Sequence, residues 1–262
     1  MKTDIRTISF YNERGGVGKT SFSILYASWL RYKHGVKVTV IDLDNRIQLY
    51  RNLELVKTSE QFEEKDRWPI VGLRLKDIQA LEQRGEKHPY ALWLSRKIAE
   101  TRDNQVIIID YPPQLYNGII ETYVHEMIDL TIIPIEYDPI TVQSTKRFIE
   151  VLENAKLNYR TFINKAEYSK RKHDLDILNT FNSPNSTPLC KIGYYPSFGE
   201  TSFRSTLFYP KRKPGREGVP GIHNLYDGLE NLFIKVTKEL KKSTTALSFI
   251  NNIDVPNATN VK

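Results

Sequence analysis

Residues 13–20 read Glu13-Arg14-Gly15-Gly16-Val17-Gly18-Lys19-Thr20, and this stretch decides the fold. Upstream of it, Ile5 to Phe10 is a short run whose apolar members are Ile5, Ile8 and Phe10, as in a buried strand. Downstream, residues 21–33 carry Phe22, Ile24, Leu25, Ala27 and Leu30 in a mostly apolar stretch of helical length. A Gly-rich turn that joins a strand to a helix and closes on Gly-Lys-Thr is the pattern of a phosphate-cradling loop. Glycines let backbone N–H groups close round the α- and β-phosphates, and the following helix N-terminus adds partial positive charge. In such a loop Lys19 reaches the β- and γ-phosphates, and the Thr20 hydroxyl ligates Mg²⁺. The expected nucleotide contacts are Gly15, Gly16, Val17, Gly18, Lys19, Thr20 and Ser21.

The loop departs from the common GxxxxGK(S/T) pattern, because Glu13 stands where the first Gly belongs. It resembles instead the deviant Walker A box, KGGxGK(T/S), of the ParA/MinD superfamily of P-loop ATPases. In that family the early Lys crosses a dimer interface to touch the partner's nucleotide, and here the position is held by Arg14. The exchange keeps charge and reach but replaces a compact ammonium with a planar, forked guanidinium. Arg14 would then act in trans like an arginine finger, or else weaken the sandwich dimer or slow turnover. The resemblance implies ATP and Mg²⁺ as cofactors, and it gives catalytic roles to Lys19, Asp44 and Arg14.

Three further boxes carry the resemblance. Val36 to Ile41 is a β-branched run that ends in Asp42-Leu43-Asp44, similar to the family's DxD box in switch I. That likeness places Asp42 near Mg²⁺ and has Asp44 orient the attacking water; paired strand-end acids also suit an ordinary turn. The family continues with Pro-Gln, whereas this chain has Asn45-Arg46. Ile107-Ile108-Ile109-Asp110-Tyr111-Pro112-Pro113 resembles the Walker B run hhhDxPP, which makes Asp110 a Mg²⁺ holder through a water. An acid at the C-terminal end of a central strand also sits where open α/β sheets bind ligands. The metal set implied is Thr20, Asp42 and Asp110. Phe162-Ile163-Asn164-Lys165 resembles the strand-end Asn that recognises adenine, though a turn Asn fits the same letters. Tyr195-Pro196-Ser197-Phe198-Gly199-Glu200 resembles the segment that closes over the base, which brings Pro196 to the nucleotide.

The rest of the chain alternates in the same way. Helical patterns fall near 74–84 and 90–101, buried strands at Val106 to Asp110 and Leu130 to Ile135, and a helix at about 141–156. A strand at Arg160 to Ile163 ends at Asn164, and 165–218 reads as loops, with one short strand in Leu189 to Tyr195. The last helix, about 224–242, spaces Leu225, Leu229, Leu232, Phe233, Val236 and Leu240 along one face, which suits docking on the sheet. The fold class expected is α/β, an open, mostly parallel sheet with helices on both faces. One domain is expected over 1–242, with 243–262 as a flexible tail. Trp68 and Trp93, in a stretch without recognisable chemistry, suit packing.

Composition narrows the partners. The 262 residues are 40% hydrophobic and 26% charged, the balance of a chain that buries a core. No stretch approaches the ~18 apolar residues of a membrane span, and no signal-peptide core opens the chain, so a cytoplasmic protein is expected. Cys190 is the only cysteine, which excludes an internal disulfide and a cysteine-held iron–sulfur cluster. The net charge is +7, and ten basic residues against four acids between Lys165 and Arg216 account for most of it. Lys170, Arg171, Lys172, Arg204, Lys211, Arg212, Lys213 and Arg216 form loop-like clusters suited to a DNA phosphate backbone or to a plain solvated face. The ParA resemblance favours non-specific DNA, bound by an ATP-dependent homodimer. It implies a ParB-like or other stimulating protein, nucleoid association in the ATP state, and DNA of plasmids or conjugative elements as cargo. Two alternatives remain: an ATP-gated binding protein with little hydrolysis, and a MinD-like membrane-recruited regulator. The tail from Thr244 has only Lys262 as a basic residue, which argues against a membrane partner.

Overall fold

A computed structural model describes residues 5–44, 68–101, 105–112, 123–166, 173–194, 207–208 and 222–242. Its centre is a seven-stranded sheet in which every pair is parallel. The strands are β1 (Arg6–Phe10), β2 (Val38–Asp42), β3 (Ile70–Gly72), β4 (Val106–Asp110), β5 (Leu130–Ile135), β6 (Tyr159–Ala166) and β7 (Lys191–Gly193). Their order across the sheet is β3-β2-β4-β1-β5-β6-β7. β1, β2, β4 and β5 are buried along their whole length, as expected where helices cover both faces.

Successive side chains of a strand point to opposite faces, and the sequence divides accordingly. Ile8, Phe10, Val38, Val40 and Ile108 pack with α1 (Lys19–His34) and with a long C-terminal helix (Ile222–Lys242). Ile41, Ile107, Ile109, Ile133 and Ile135 pack on the other face with α2 (Leu75–Gln83), α3 (Pro89–Glu100) and α4 (Pro139–Asn154). α1 ends where Gly35 takes φ 63° and its N–H returns to the Arg31 carbonyl. α4 begins where the Asp138 carboxylate accepts from the Thr141 N–H, with Pro139 in the first turn.

Several sequence expectations need adjusting. β6 runs on to Ala166, so Asn164 lies inside the strand and not at its end, beside a register shift between Ile163 and Ala166. The stretch read as loops contains α5 (Asp174–Thr180), whose first turn carries Asp174 and Asp176, a favourable placement of acids. The uninterpreted stretch before Val106 supplies β3, an edge strand of only three residues that is too short to leave a periodic signal. α6 (Ile222–Lys242) does dock as its stripe suggested: Leu225, Leu229, Leu232, Phe233, Val236 and Leu240 are buried. That removes it as a free membrane-binding face. Trp68 and Trp93 are buried packing residues, and Cys190 is half-buried against the core with its thiol pushed up to about 11 by burial. Among the described residues no helix is long and apolar enough to cross a membrane.

Candidate functional site

The C-terminal ends of β1, β2, β4, β5 and β6 converge on the loop that leads into α1, the region where open α/β sheets place their ligands. Gly18 forms the last bend of that loop at φ 96°. A side chain there would press on the Phe22 ring at 3.0 Å and on Asn164 Nδ2 at 3.1 Å, so only glycine fits. Lys19 begins α1, and its ammonium is buried. It donates to the carbonyls of Asn12 at 2.8 Å and Arg14 at 2.7 Å, so it lies across the loop. Burial brings its pKa down to about 8, against the opposing pull of Asp110. Gly15, Gly16 and Arg14 are exposed, Val17 is buried, and Thr20 and Ser21 are half-buried.

Two strand-end acids stand side by side. Asp42 ends β2, Asp110 ends β4, and the two are register partners. The Thr20 hydroxyl donates to Asp110 Oδ2 at 2.8 Å, and the Ser23 hydroxyl donates to Oδ1 at 3.0 Å. Burial pushes Asp110 up to about 6, against these two hydrogen bonds. Asp42 Oδ1 accepts from the Asp44 N–H at 2.9 Å, while Oδ2 is buried without a hydrogen-bond partner. Burial, then the neighbouring Asp110 charge, pushes Asp42 up to about 8. A buried carboxylate oxygen without a donor suits a cation. Among the described residues no cluster of three His, Cys, Asp or Glu forms a full protein cage. One hydroxyl and two carboxylates fit Mg²⁺, which completes its octahedron with phosphate oxygens and waters.

Other residues support the loop without having stood out in the sequence. Asn12 is fully buried; its amide donates to the Pro134 carbonyl and the Thr145 hydroxyl, and its oxygen accepts from the Arg14 N–H. Asn164 Nδ2 donates to the Val17 carbonyl at 2.9 Å, so this amide braces the loop. Lys165 Nζ donates to the Gly16 carbonyl at 2.8 Å and pairs with Glu136 at 2.8 Å. A signal for Ser23 was present, since a polar residue three positions after Thr20 interrupts an apolar helix face. Asn12 and Glu136 each stand just past a strand end among other polar residues, and no neighbouring letter says that their partners are Thr145 and Lys165.

The structure thus brings together Arg14, Gly15, Gly16, Val17, Gly18, Lys19, Thr20, Asp42, Asp44, Asp110 and Asn164 around one loop and the adjoining strand ends. Asn45, Arg46 and Pro196 lie outside the described residues. So do the candidate DNA contacts Lys170, Arg171, Lys172, Arg204, Lys211, Arg212, Lys213 and Arg216.

Comparison with known proteins bears on the fold. A family model described as an AAA domain matches residues 5–67. No curated protein matches the chain in sequence. Among solved structures, an ATP complex of a Cyanothece McdA variant is similar with a TM-score of 0.62 at 15% identity, over 94% of this chain and 100% of that one. The MinD cell division protein of Aquifex aeolicus gives 0.57 at 16% identity, over 94% and 100%. A plasmid partition protein from Borrelia burgdorferi gives 0.58 at 19% identity, over 89% and 99%. Identities this low speak for the fold alone. The chain has the P-loop fold shared by ParA- and MinD-type proteins.

Proposed function

We propose that this chain is a Mg²⁺-dependent ATPase that dimerises on ATP and binds DNA without sequence preference, so as to partition or position plasmid or conjugative-element DNA. The observation that carries the reading is the convergence of Lys19 and Thr20 from α1 with the paired acids Asp42 and Asp110. Backbone N–H groups of residues 15–21 hold the phosphates, and Lys19 leaves its carbonyl partners to meet the β- and γ-oxygens. Thr20, Asp42 and Asp110 hold Mg²⁺, which supplies charge neutralisation on those oxygens. Asp44 orients the attacking water, and Arg14, exposed at the loop entrance, reaches the nucleotide of a second copy. Asn164 and Pro196 contribute to the base subsite. A ParB-like or other partner stimulates turnover, which returns the dimer to monomers. Such coupling works because ATP favours the dimer over the monomer.

The DNA arm rests on charge. Ten basic residues fall between Lys165 and Arg216, far along the chain from residues 13–20; Lys165 holds the loop, and the surplus carried by the other nine calls for a further anionic partner. A phosphate-backbone contact predicts binding that weakens steeply with salt. Arg14 in place of the signature Lys favours a second reading, an ATP-gated binding protein with little hydrolysis.

The test is gel filtration and a DNA shift assay run with ADP, with ATP and with a slowly hydrolysed ATP analogue. ATP and the analogue are expected to give dimers that shift random duplex at low salt, and ADP is expected to give monomers. Lys19→Ala abolishes the ATP-dependent dimer. Asp44→Ala keeps the dimer and loses phosphate release. No shift with ATP at low salt removes the DNA arm; a dimer without phosphate release in the unaltered chain selects the second reading.

A further inference from the structure

Two consecutive residues of β6 grip two consecutive carbonyls of the phosphate loop. Asn164 holds the Val17 carbonyl, and Lys165 holds the Gly16 carbonyl. In a trans peptide the carbonyl and the next N–H point in opposite directions, and the described chain contains no cis bond. Fastening the Gly16 and Val17 carbonyls toward β6 therefore turns the N–H groups of Val17 and Gly18 the other way. Those are the groups a phosphate loop presents to its anion.

Lys165 is specially placed for this task. Its φ is 52°, in the left-handed region that a bulky residue rarely adopts, and it falls at the register shift between β6 and β7. Such conformations persist where the surroundings over-determine them, and they gather at functional sites. Glu136, just beyond β5, pairs with the same ammonium and holds it beside Gly16. The strap thus runs from Glu136 through Lys165 to the loop.

We infer that Lys165, held by Glu136, is a positioning residue that sets the orientation of the phosphate-binding peptides at Val17 and Gly18. The inference rests on the nucleotide-binding reading above. A preorganised set of donors binds its anion more tightly because it need not be ordered on binding. Removing the ammonium weakens binding of the phosphates while the fold stays intact.

The experiment is calorimetric titration of the full chain with ADP and with ATP, alongside thermal melts without nucleotide. Lys165→Gly removes the ammonium and suits the left-handed backbone; Lys165→Met keeps the stem. Both variants are expected to melt like the unaltered chain and to bind ADP about tenfold more weakly. Lys165→Arg, which restores a donor of similar reach, is expected to stay within about threefold. Glu136→Gln weakens binding in the same direction, and combined with Lys165→Met it adds little further loss, as residues acting through one contact do. Unchanged ADP affinity in both the Gly and Met variants overturns the inference, whatever their stability. If the unaltered chain binds neither ADP nor ATP, the proposed function falls and the inference falls with it.

Discussion

Asp42 and Asp110 face each other at the C-terminal ends of the neighbouring parallel strands β2 and β4, both buried, with one oxygen of Asp42 lacking a hydrogen-bond partner. Two acids so placed are unfavourable when both are charged and nothing neutralises them. The pair is therefore a site of stored electrostatic cost, relieved by a proton or by a cation.

That cost predicts a pH dependence. Asp42 has its folded pKa raised to about 8, so between its ordinary value near 3.8 and 8 the folded state holds more protons than the unfolded one. Stability then falls as pH rises. Between pH 6.5 and 8 the metal- and nucleotide-free protein is expected to lose about 2 kcal/mol, and Asp42→Asn to flatten that slope. Chemical denaturation across this range, with a chelator present, measures it.

Thr20 and Ser23 hydrogen-bond the same carboxylate, yet only Thr20 is assigned to the metal. Replacing either by Ala removes a hydrogen bond to a charged group and costs about 1.5–3 kcal/mol. Thr20→Ala alone is expected to abolish the gain in ATP affinity that Mg²⁺ brings. Titrations with and without Mg²⁺ separate the two variants.

Asn12 satisfies two buried groups, at Pro134 and Thr145, and the Arg14 N–H at the entry to the loop. Asn12→Ala leaves them without a partner and is expected to cost about 3 kcal/mol, lowering the melting temperature by roughly 6–12 °C. A thermal melt of the nucleotide-free variant checks this.

His125 sits among the rings of Tyr11, Tyr111 and Phe148, with neither ring nitrogen hydrogen-bonded. Burial brings its pKa down to about 4 from 6.5. Between these values the unfolded chain holds the extra proton, so acidification destabilises the fold, by up to about 3 kcal/mol from this group. His125→Phe, which suits an aromatic cage, is expected to raise the melting temperature more at pH 5 than at pH 7.

Arg14 is exposed at the loop entrance. Arg14→Ala is expected to leave the melting temperature unchanged and to weaken the ATP-dependent dimer, as sedimentation velocity would show. A lysine at this position, Arg14→Lys, should support the dimer at least as well as the native residue.

Much of the fold was legible because its strands are buried on both faces. Val106 to Ile109 is a continuous apolar run closed by Asp110, Leu130 to Ile135 is apolar but for Thr131, and the structure has strands at Val106–Asp110 and Leu130–Ile135. β3 and α5 escaped because one is three residues long and the other seven, too few to show a period. Asn164 was legible as a residue of interest but not in its task. The letters of a strand end do not say that β6 continues to Ala166, or that the amide turns toward Val17.

The sequence alone determined the Gly-rich loop between strand and helix, the two strand-end acids and the alternation of strands with helices, since each is written in neighbouring residues or a local period. Only the tertiary structure decided which distant groups serve that loop. Asn12 to Thr145, Asn164 to Val17, Lys165 to Gly16 and Thr20 to Asp110 are contacts between residues 90 to 149 positions apart. A parallel sheet brings strand ends together regardless of their separation along the chain, and no local pattern records which ends will meet.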